Sequence, residues 1–228
     1  ATGHYAQGRN GDLLKGADPA KDQSYFLWTL IGEQLSRILF PVGRLQKSEV
    51  RRLAEKYGLP TAAKKDSQGI CFIGDVDMKD FLRHYIDVKP GYVIGEGGAV
   101  IGSHQGALFY TIGERHGFEI SEKGTSDRPY YVVAKDADLN TVTVSQEPGI
   151  HASAREAFLT DCVWRSLPGE KTYTAQIRYH GDQKACRVRK VDGTEAVVEF
   201  DIADYSVSPG QSVVVYDGDV CIGGGIVK

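Results

Sequence analysis

Cys71 stands in the segment Lys65-Asp66-Ser67-Gln68-Gly69-Ile70-Cys71-Phe72-Ile73-Gly74, where a polar, glycine-containing loop runs into a short apolar stretch. A thiolate rather than a thiol is the nucleophile, and nearby cations lower a thiol's pKa. Lys64 and Lys65 are the local candidates for that activation. The same residues also fit a buried structural cysteine, a common fate of this residue type. Cys162, Cys186 and Cys221 lie in apolar, strand-like surroundings and read as structural. A Ser103-His104 pair, or Cys71 with His84 or His104, would be the start of a hydrolase, but no Gly-x-Ser-x-Gly elbow accompanies them. Gln105, Arg115 and His116 lie in polar, glycine-punctuated sequence and carry no spacing signature.

A second group of residues suits nucleic acid. Arg178-Tyr179 ends an apolar run just before His180-Gly181-Asp182. An arginine pairs with phosphate and a tyrosine stacks on an unpaired base; a surface arginine beside a core tyrosine reads equally well. Lys184, Arg187, Arg189 and Lys190 follow, with Arg187 and Arg189 on one strand face as a local basic patch. Lys21, Asp22 and Gln23 precede an apolar-periodic run, so Asp22 suits a helix N-terminus, while Lys21 and Gln23 suit phosphate and base or sugar. Gly3 permits close approach of backbone to a ligand, though Gly3-His4 also fits a plain turn. Gln211, in Pro209-Gly210-Gln211, reads as a turn residue.

The elements that must position these residues change character along the chain. Ser24 to Phe40 carries apolar residues at a period near 3.6, predicting one amphipathic helix stopped by Pro41. Ser48 to Tyr57 predicts a second helix with Ser48 as N-cap and Gly58 as C′. Met78 to Ile86 predicts a third. From Lys89 onward short alternating runs predict strands at 91–94, 99–102, 130–133, 141–145, 157–164, 172–178, 185–191, 195–200 and 212–216. Gly95-Glu96-Gly97-Gly98, Asp138-Leu139-Asn140, Asp192-Gly193 and Asp217-Gly218 predict hairpin turns, and His116 to Arg128 predicts a loop. Gly223-Gly224-Gly225 predicts a close strand crossing or bulge. The spacing of the last strands suggests a small closed barrel. The fold class expected is α+β: a helical part over 1–87, a central β domain over 88–149 and a β-barrel over 150–228.

Composition narrows the function classes. The chain has 228 residues, 41% hydrophobic and 25% charged, with a net charge of −3. That charge is not the footprint of a strongly basic nucleic-acid binder, so any RNA must meet a local basic face. Four cysteines without a CxxC pair support neither a zinc site nor a disulfide framework, and they fit a reducing cytosol. No run approaches the ~18 apolar residues of a membrane span, and no signal peptide opens the chain. The only methionine is Met78, so the chain is expected to begin inside something longer.

Several motifs occur in a fixed order: Ala1-Thr2-Gly3-His4-Tyr5-Ala6, Lys21-Asp22-Gln23-Ser24-Tyr25-Phe26-Leu27, Asp66-Ser67-Gln68-Gly69-Ile70-Cys71-Phe72-Ile73-Gly74, Gly102-Ser103-His104-Gln105-Gly106, Tyr110-Thr111-Ile112-Gly113-Glu114-Arg115, Pro209-Gly210-Gln211-Ser212 and Cys221-Ile222-Gly223-Gly224-Gly225-Ile226. Together they resemble the tRNA-specific 2-thiouridylases, bacterial and organellar enzymes that place sulfur on C2 of the wobble uridine (position 34), and the resemblance implies a cytoplasmic protein here. The resemblance covers essentially the whole chain, with the family's amino-terminal ATP-binding PP-loop part missing. It implies that the first 87 residues are the helical end of that α/β catalytic domain, and that the carboxy-terminal barrel is similar to one in translation elongation factors. It implies Cys71 as the persulfide carrier, loaded by a sulfur-relay protein, with ATP adenylating the uridine. A second family cysteine, in the missing part, would free the sulfur or close a disulfide. It implies Gly3 against ATP, and His4, Lys21, Asp22, Gln23, Arg178, Tyr179 and Gln211 against tRNA. No phosphate-cradling loop is present here, so this chain alone is expected to be inactive. The rival reading is a non-catalytic RNA-binding module, similar to a translation-factor barrel, in which Cys71 is structural.

Overall fold

The computed structural model of the chain describes residues 1–63, 78–86, 88–121, 128–147, 154–190, 193–204 and 207–228. They fold mainly as β-sheet with few, short helices. Two compact units result: Ala1–Lys64 with Ala154–Lys228, and Lys65–Ser153.

The first unit is built on six strands that close on themselves: β8 (Ala154–Trp164), β9 (Tyr173–Gln176), β10 (Lys184–Lys190), β11 (Ala196–Asp204), β12 (Ser212–Asp217) and β13 (Val220–Val227). All pairings are antiparallel, in the circular order β8, β13, β12, β9, β10, β11. Closure removes the exposed edges an open sheet would leave. The interior holds Leu159, Tyr173, Ala175, Cys186, Val198, Phe200, Val213 and Val215.

Two strands sequence periodicity did not reveal, β1 (Ala6–Arg9) and β2 (Asp12–Lys15), form a hairpin laid on this barrel. Leu13 and Leu14 of β2 pair with Cys221 and Val220 of β13. β12 is consequently buried on both faces: Val213 and Val215 point into the barrel, while Val214 and Tyr216 join Ala6, Leu13, Trp28, Leu35 and Cys221 in a second core. A fully buried valine contributes about 1.5–3 kcal/mol over an exposed one. The three glycines of β13 are the close crossing expected of them. A Cβ on Gly225 would lie 2.7 Å from Cys162 Sγ, and one on Gly224 would lie 2.5 Å from the Val213 carbonyl oxygen.

The single helix expected from Ser24 to Phe40 is not formed. The segment holds a 3₁₀ turn, Ser24–Leu27, then extended Ile31, then the short helix α1 (Gly32–Ser36). The carbonyls of Trp28 and Leu30 turn away from a helical ladder and accept from Arg165 Nη1, at 2.7 Å each. The apolar period reflects burial of Trp28 and Leu35 on the barrel rather than one continuous helix. Helix α2 (Lys47–Lys56) starts earlier than expected, with Gln46 rather than Ser48 at its N-cap. Its first amide, Lys47 N, is capped by Asp18 Oδ2 at 2.9 Å, a carboxylate from a distant loop. Gly58 ends it at φ +63°, as a C′ glycine does.

The second unit carries α3 (Met78–Arg83) and a five-stranded sheet in the order β5 (Phe118–Ile120), β4 (Val100–His104), β3 (Gly91–Ile94), β7 (Thr141–Ser145), β6 (Tyr131–Asp136). The β3–β7 pair is parallel and the rest antiparallel. Val93, Tyr110, Val132, Val142 and Val144 form its core. Part of the stretch expected as a loop from His116 is strand β5, and Gly113 N donates to the Val132 carbonyl at 2.7 Å.

Candidate nucleic-acid interface

The Lys21–Gln23 segment is held from both sides. Asp22 Oδ1 accepts from Gly16 N at 2.8 Å and Ser24 N at 3.1 Å, and Asp22 Oδ2 accepts from Ser24 Oγ at 2.9 Å. Ser24 is fully buried and its hydroxyl meets Tyr216 Oη at 3.1 Å. Asp22 does not cap a regular helix. It pins a loop to the β2 end and to the second core, and its carboxylate is turned largely inward. Gln23 Oε1 accepts from Tyr5 N at 3.0 Å, and Gln23 N donates to the Tyr5 carbonyl at 2.8 Å. This ties the loop to the strand that follows Gly3-His4. His4 Nδ1 lies 2.6 Å from Thr2 Oγ1. Gly3 is exposed, with open space where a Cβ would stand.

The next two residues reach the barrel. Tyr25 Oη lies 3.0 Å from the Ile177 carbonyl and 2.9 Å from the Ser212 carbonyl, a donor to either. Those carbonyls belong to the residue before Arg178 and the residue after Gln211. Burial pushes the Tyr25 hydroxyl up to about 12, with the Arg178 charge pulling the other way, so it stays a donor at neutral pH. Phe26 stands with its ring centroid 4.4 Å from that of Tyr179. Arg178 Nε is buried, and Gln211 Oε1 is buried without a hydrogen-bond partner among the described residues. The fold thus gathers Lys21–Gln23, Arg178, Tyr179 and Gln211 on one region of the first unit, with Gly3 and His4 joined through Gln23. Beside them opens a pocket of about 580 Å³ whose walls include Lys15, Asp22, Gln176, His180, Gln183 and Asp219.

Cys71 lies outside the described residues. The other three thiols are buried, and burial pushes Cys186 up to about 12 and Cys221 up to about 11. Cys221 Sγ also accepts from Arg165 Nη2 at 2.9 Å. The expected basic face of β10 is corrected: Arg187 and Arg189 do share an exposed face, but carboxylates neutralise it. Arg187 lies 3.9 Å from Asp201, and Arg189 lies 2.5 Å from Glu156 and 3.8 Å from Glu199.

The Ser103-His104 form of the hydrolase alternative fails on strand geometry, because successive side chains of β4 point to opposite faces; the pairing of Cys71 with His84 or His104 falls on Cys71, outside the described residues. Ser103 is exposed and His104 is buried at 3% exposure. His104 Nδ1 accepts from Gly106 N at 2.9 Å, and burial lowers its pKa against the raising pull of the Asn140 and Tyr92 backbone. It is a core histidine. Among the described residues no three His, Cys, Asp or Glu side chains are grouped as a metal site would need, and no helix is long and apolar enough to cross a membrane.

Sequence reasoning passed over Arg165, Phe26 and His180. Nothing in the local sequence of Arg165 marks it, since its partners, three main-chain carbonyls and the Cys221 sulfur, belong to remote segments. Phe26 was read as one position on a helical face, and His180 as a turn residue.

Comparison with known proteins defines the class first. Residues 1–75 match a family model described as the tRNA methyl transferase HUP domain, residues 79–146 the tRNA methyl transferase PRC-barrel domain, and residues 156–227 the aminomethyltransferase beta-barrel domain. The chain is 47% identical over 240 aligned residues to the tRNA-specific 2-thiouridylase MnmA of Pseudomonas fluorescens strain Pf0-1, and 46% identical to those of Stutzerimonas stutzeri strain A1501 and, over 238 residues, Pseudomonas aeruginosa strain UCBPP-PA14. Each alignment covers all of this chain and 63% of the relative. The chain belongs to the family of the tRNA-specific 2-thiouridylases.

Proposed function

We propose that this chain is the tRNA-holding and sulfur-carrying part of an enzyme that replaces O2 of a tRNA wobble uridine with sulfur. The observation that carries this reading is the convergence of Lys21–Gln23, Arg178-Tyr179 and Gln211 on one region, within a chain matched end to end by 2-thiouridylases. Lys21 and Arg178 meet phosphate in this reading, and Tyr179, Gln23 and Gln211 meet bases or sugars. Asp22 acts by positioning its neighbours. His4, beside the Gln23 anchor, lies at the edge of the same RNA surface.

Cys71 carries the sulfur. A persulfide on a sulfur-relay protein transfers its outer sulfur to the Cys71 thiolate, and the donor leaves as its own thiolate. The terminal sulfur then attacks C2 of the uridine, O2 departs as part of AMP after activation by the ATP cosubstrate, and the thiolate of a second cysteine outside this chain attacks Cys71 Sγ, breaking the S–S bond so that the sulfur stays on C2 and Cys71 closes a disulfide. ATP is the cosubstrate of this family's chemistry, and Gly3 is the residue of this chain offered to it. An exposed glycine is no phosphate cradle, so no adenylation step is assigned to residues described here. The chain works as part of a longer protein, in the cytoplasm, where its RNA substrate resides.

Titration of the chain with tRNA at several salt concentrations tests the binding half of this reading. Phosphate contacts release counterions, so affinity should fall with salt, and Arg178→Ala should both weaken binding and reduce the slope. A slope unchanged by Arg178→Ala would remove that residue from the interface. Absence of tRNA binding by the chain would overturn the reading.

A further inference from the structure

We propose that Phe26, Tyr179 and His180 form a stacking platform for one unpaired nucleobase, and that the adjoining pocket receives the edge of that base and its sugar. The inference rests on the RNA-binding reading above and adds Phe26, His180 and the pocket to it. Phe26 is 53% exposed and Tyr179 36% exposed, and His180 is exposed beside them. The ring centroids follow one another at 4.4 Å from Phe26 to Tyr179 and 4.0 Å from Tyr179 to His180, at interplanar angles of 40° and 60°. Single exposed apolar side chains are ordinary. Three contiguous rings delivered by segments far apart in sequence form a stepped aromatic surface instead, and every base has a π-face that such a surface can take.

The platform is anchored rather than adaptable. Tyr25 lies behind it, bound to the Ile177 and Ser212 carbonyls and 6.5 Å from the Tyr179 ring. His180 sits at φ +60°, a conformation that non-glycine residues rarely adopt and that tends to concentrate at ligand sites. The turn is closed by Gly181 N donating to the Arg178 carbonyl at 2.9 Å.

His180 also walls the pocket, whose volume of about 580 Å³ falls within the ~300–1,000 Å³ of small-molecule sites. Its lining favours an uncharged group. Lys15 Nζ is already 2.9 Å from both Gln183 Oε1 and the Gly218 carbonyl, and Asp22 and Asp219 are carboxylates that would repel phosphate. Three glutamines supply the polarity. Gln7 Nε2 donates to the Lys15 carbonyl, Gln176 Nε2 donates to the Arg178 carbonyl, and Gln183 Oε1 accepts from Lys15 and Thr174. The opposite amide atom of each has no partner among the described residues. Mixed amide donors and acceptors beside a stacking surface match the edge of a nucleobase.

Fluorescence anisotropy of the chain with tRNA, at two salt concentrations, tests the platform. Stacking is worth enough that Phe26→Ala and His180→Ala should each weaken binding by roughly 5- to 150-fold, without changing the salt slope that Arg178→Ala reduces. Phe26→Tyr should retain binding, whereas Phe26→Leu, which keeps apolar area without a π-face, should not. Equal affinity of the wild type, Phe26→Ala and His180→Ala would overturn the platform while leaving the RNA-binding reading in place. Full binding by Phe26→Leu would overturn stacking in favour of plain apolar contact. A wild-type chain that binds no tRNA would overturn both.

Discussion

The ring of Phe26 lies 4.4 Å from the ring of Tyr179, joining residues 153 positions apart in sequence, 179 − 26. One comes from a 3₁₀ turn after the β1–β2 hairpin, the other from the turn that follows β9. Their contact makes the amino-terminal loop and the barrel one surface, so that a change in either segment is felt at the same place. The tyrosine beside Phe26 reinforces this, since Tyr25 reads the carbonyls of Ile177 and Ser212 together.

Asp22 is the keystone of that loop. Its carboxylate accepts from two main-chain amides and one hydroxyl. Asp22→Ala leaves these donors without their acceptor and should destabilise the first unit by about 1–3 kcal/mol, read as a lower urea midpoint. Binding of tRNA should weaken as well, through disorder of Lys21 and Gln23. Unchanged stability with lost binding would make Asp22 a direct RNA contact instead.

Arg165 is the second keystone. Its guanidinium donates to the carbonyls of Trp28, Leu30 and Cys221 and to Cys221 Sγ. Charged hydrogen bonds of this kind are worth about 1.5–3 kcal/mol each and are not additive. Arg165→Ala should therefore destabilise the chain by about 2–4 kcal/mol. Arg165→Lys should recover little of it, because an ammonium lacks the planar fork. Full stability of Arg165→Lys in thermal melts would contradict this account.

Many of the strands were legible in the sequence because they alternate and their turns carry Gly or Asp-Gly signals. Thr141–Ser145 of the second unit and Ser212–Asp217 of the barrel form close to where alternation placed them, whereas β13 was expected only as a close crossing or bulge at its three glycines. The β1–β2 hairpin was not legible. Its strands are four residues long, and they are stabilised by pairing with Val220 and Cys221, more than 200 positions away. The helix expected over Ser24–Phe40 failed for a related reason: a 3.6 period reports which face is buried, and Arg165 decided where the carbonyls went. The arginine pair on β10 was placed on the correct face, but its charge is cancelled by carboxylates of β8 and β11 that no local reading could pair with it. Asp22 and Gln23 were singled out as RNA-facing, while their inward hydrogen bonds depend on Gly16, Ser24 and Tyr5 meeting in space.

Alkali should unfold the first unit through its buried acids. Cys186 and Cys221 are raised from 9.0 to about 12 and about 11, and Tyr25 from 10.0 to about 12. A raised folded pKa means the unfolded chain loses the proton first. The stability of these neutral groups is therefore present below pH 9 and is lost progressively between about 9 and 12. The urea midpoint should fall from pH 8 to pH 11, and Cys186→Ala should make that fall shallower. Both thiols stay protonated in the folded chain at pH 8, so native alkylation should pass them by. A flat midpoint, or rapid labelling of either residue in the folded chain, would contradict this.

Sulfur carriage by Cys71 is the central step of the proposed function. The decisive measurement is the 2-thiouridine content of wobble uridine, by mass spectrometry, in tRNA from cells whose own 2-thiouridylase is replaced by the full-length protein containing this chain. The wild type should restore 2-thiouridine, and Cys71→Ser should leave none while still binding tRNA. Equal 2-thiouridine with Cys71→Ser would contradict the assignment, and a wild-type protein that restores none would contradict the proposed function itself.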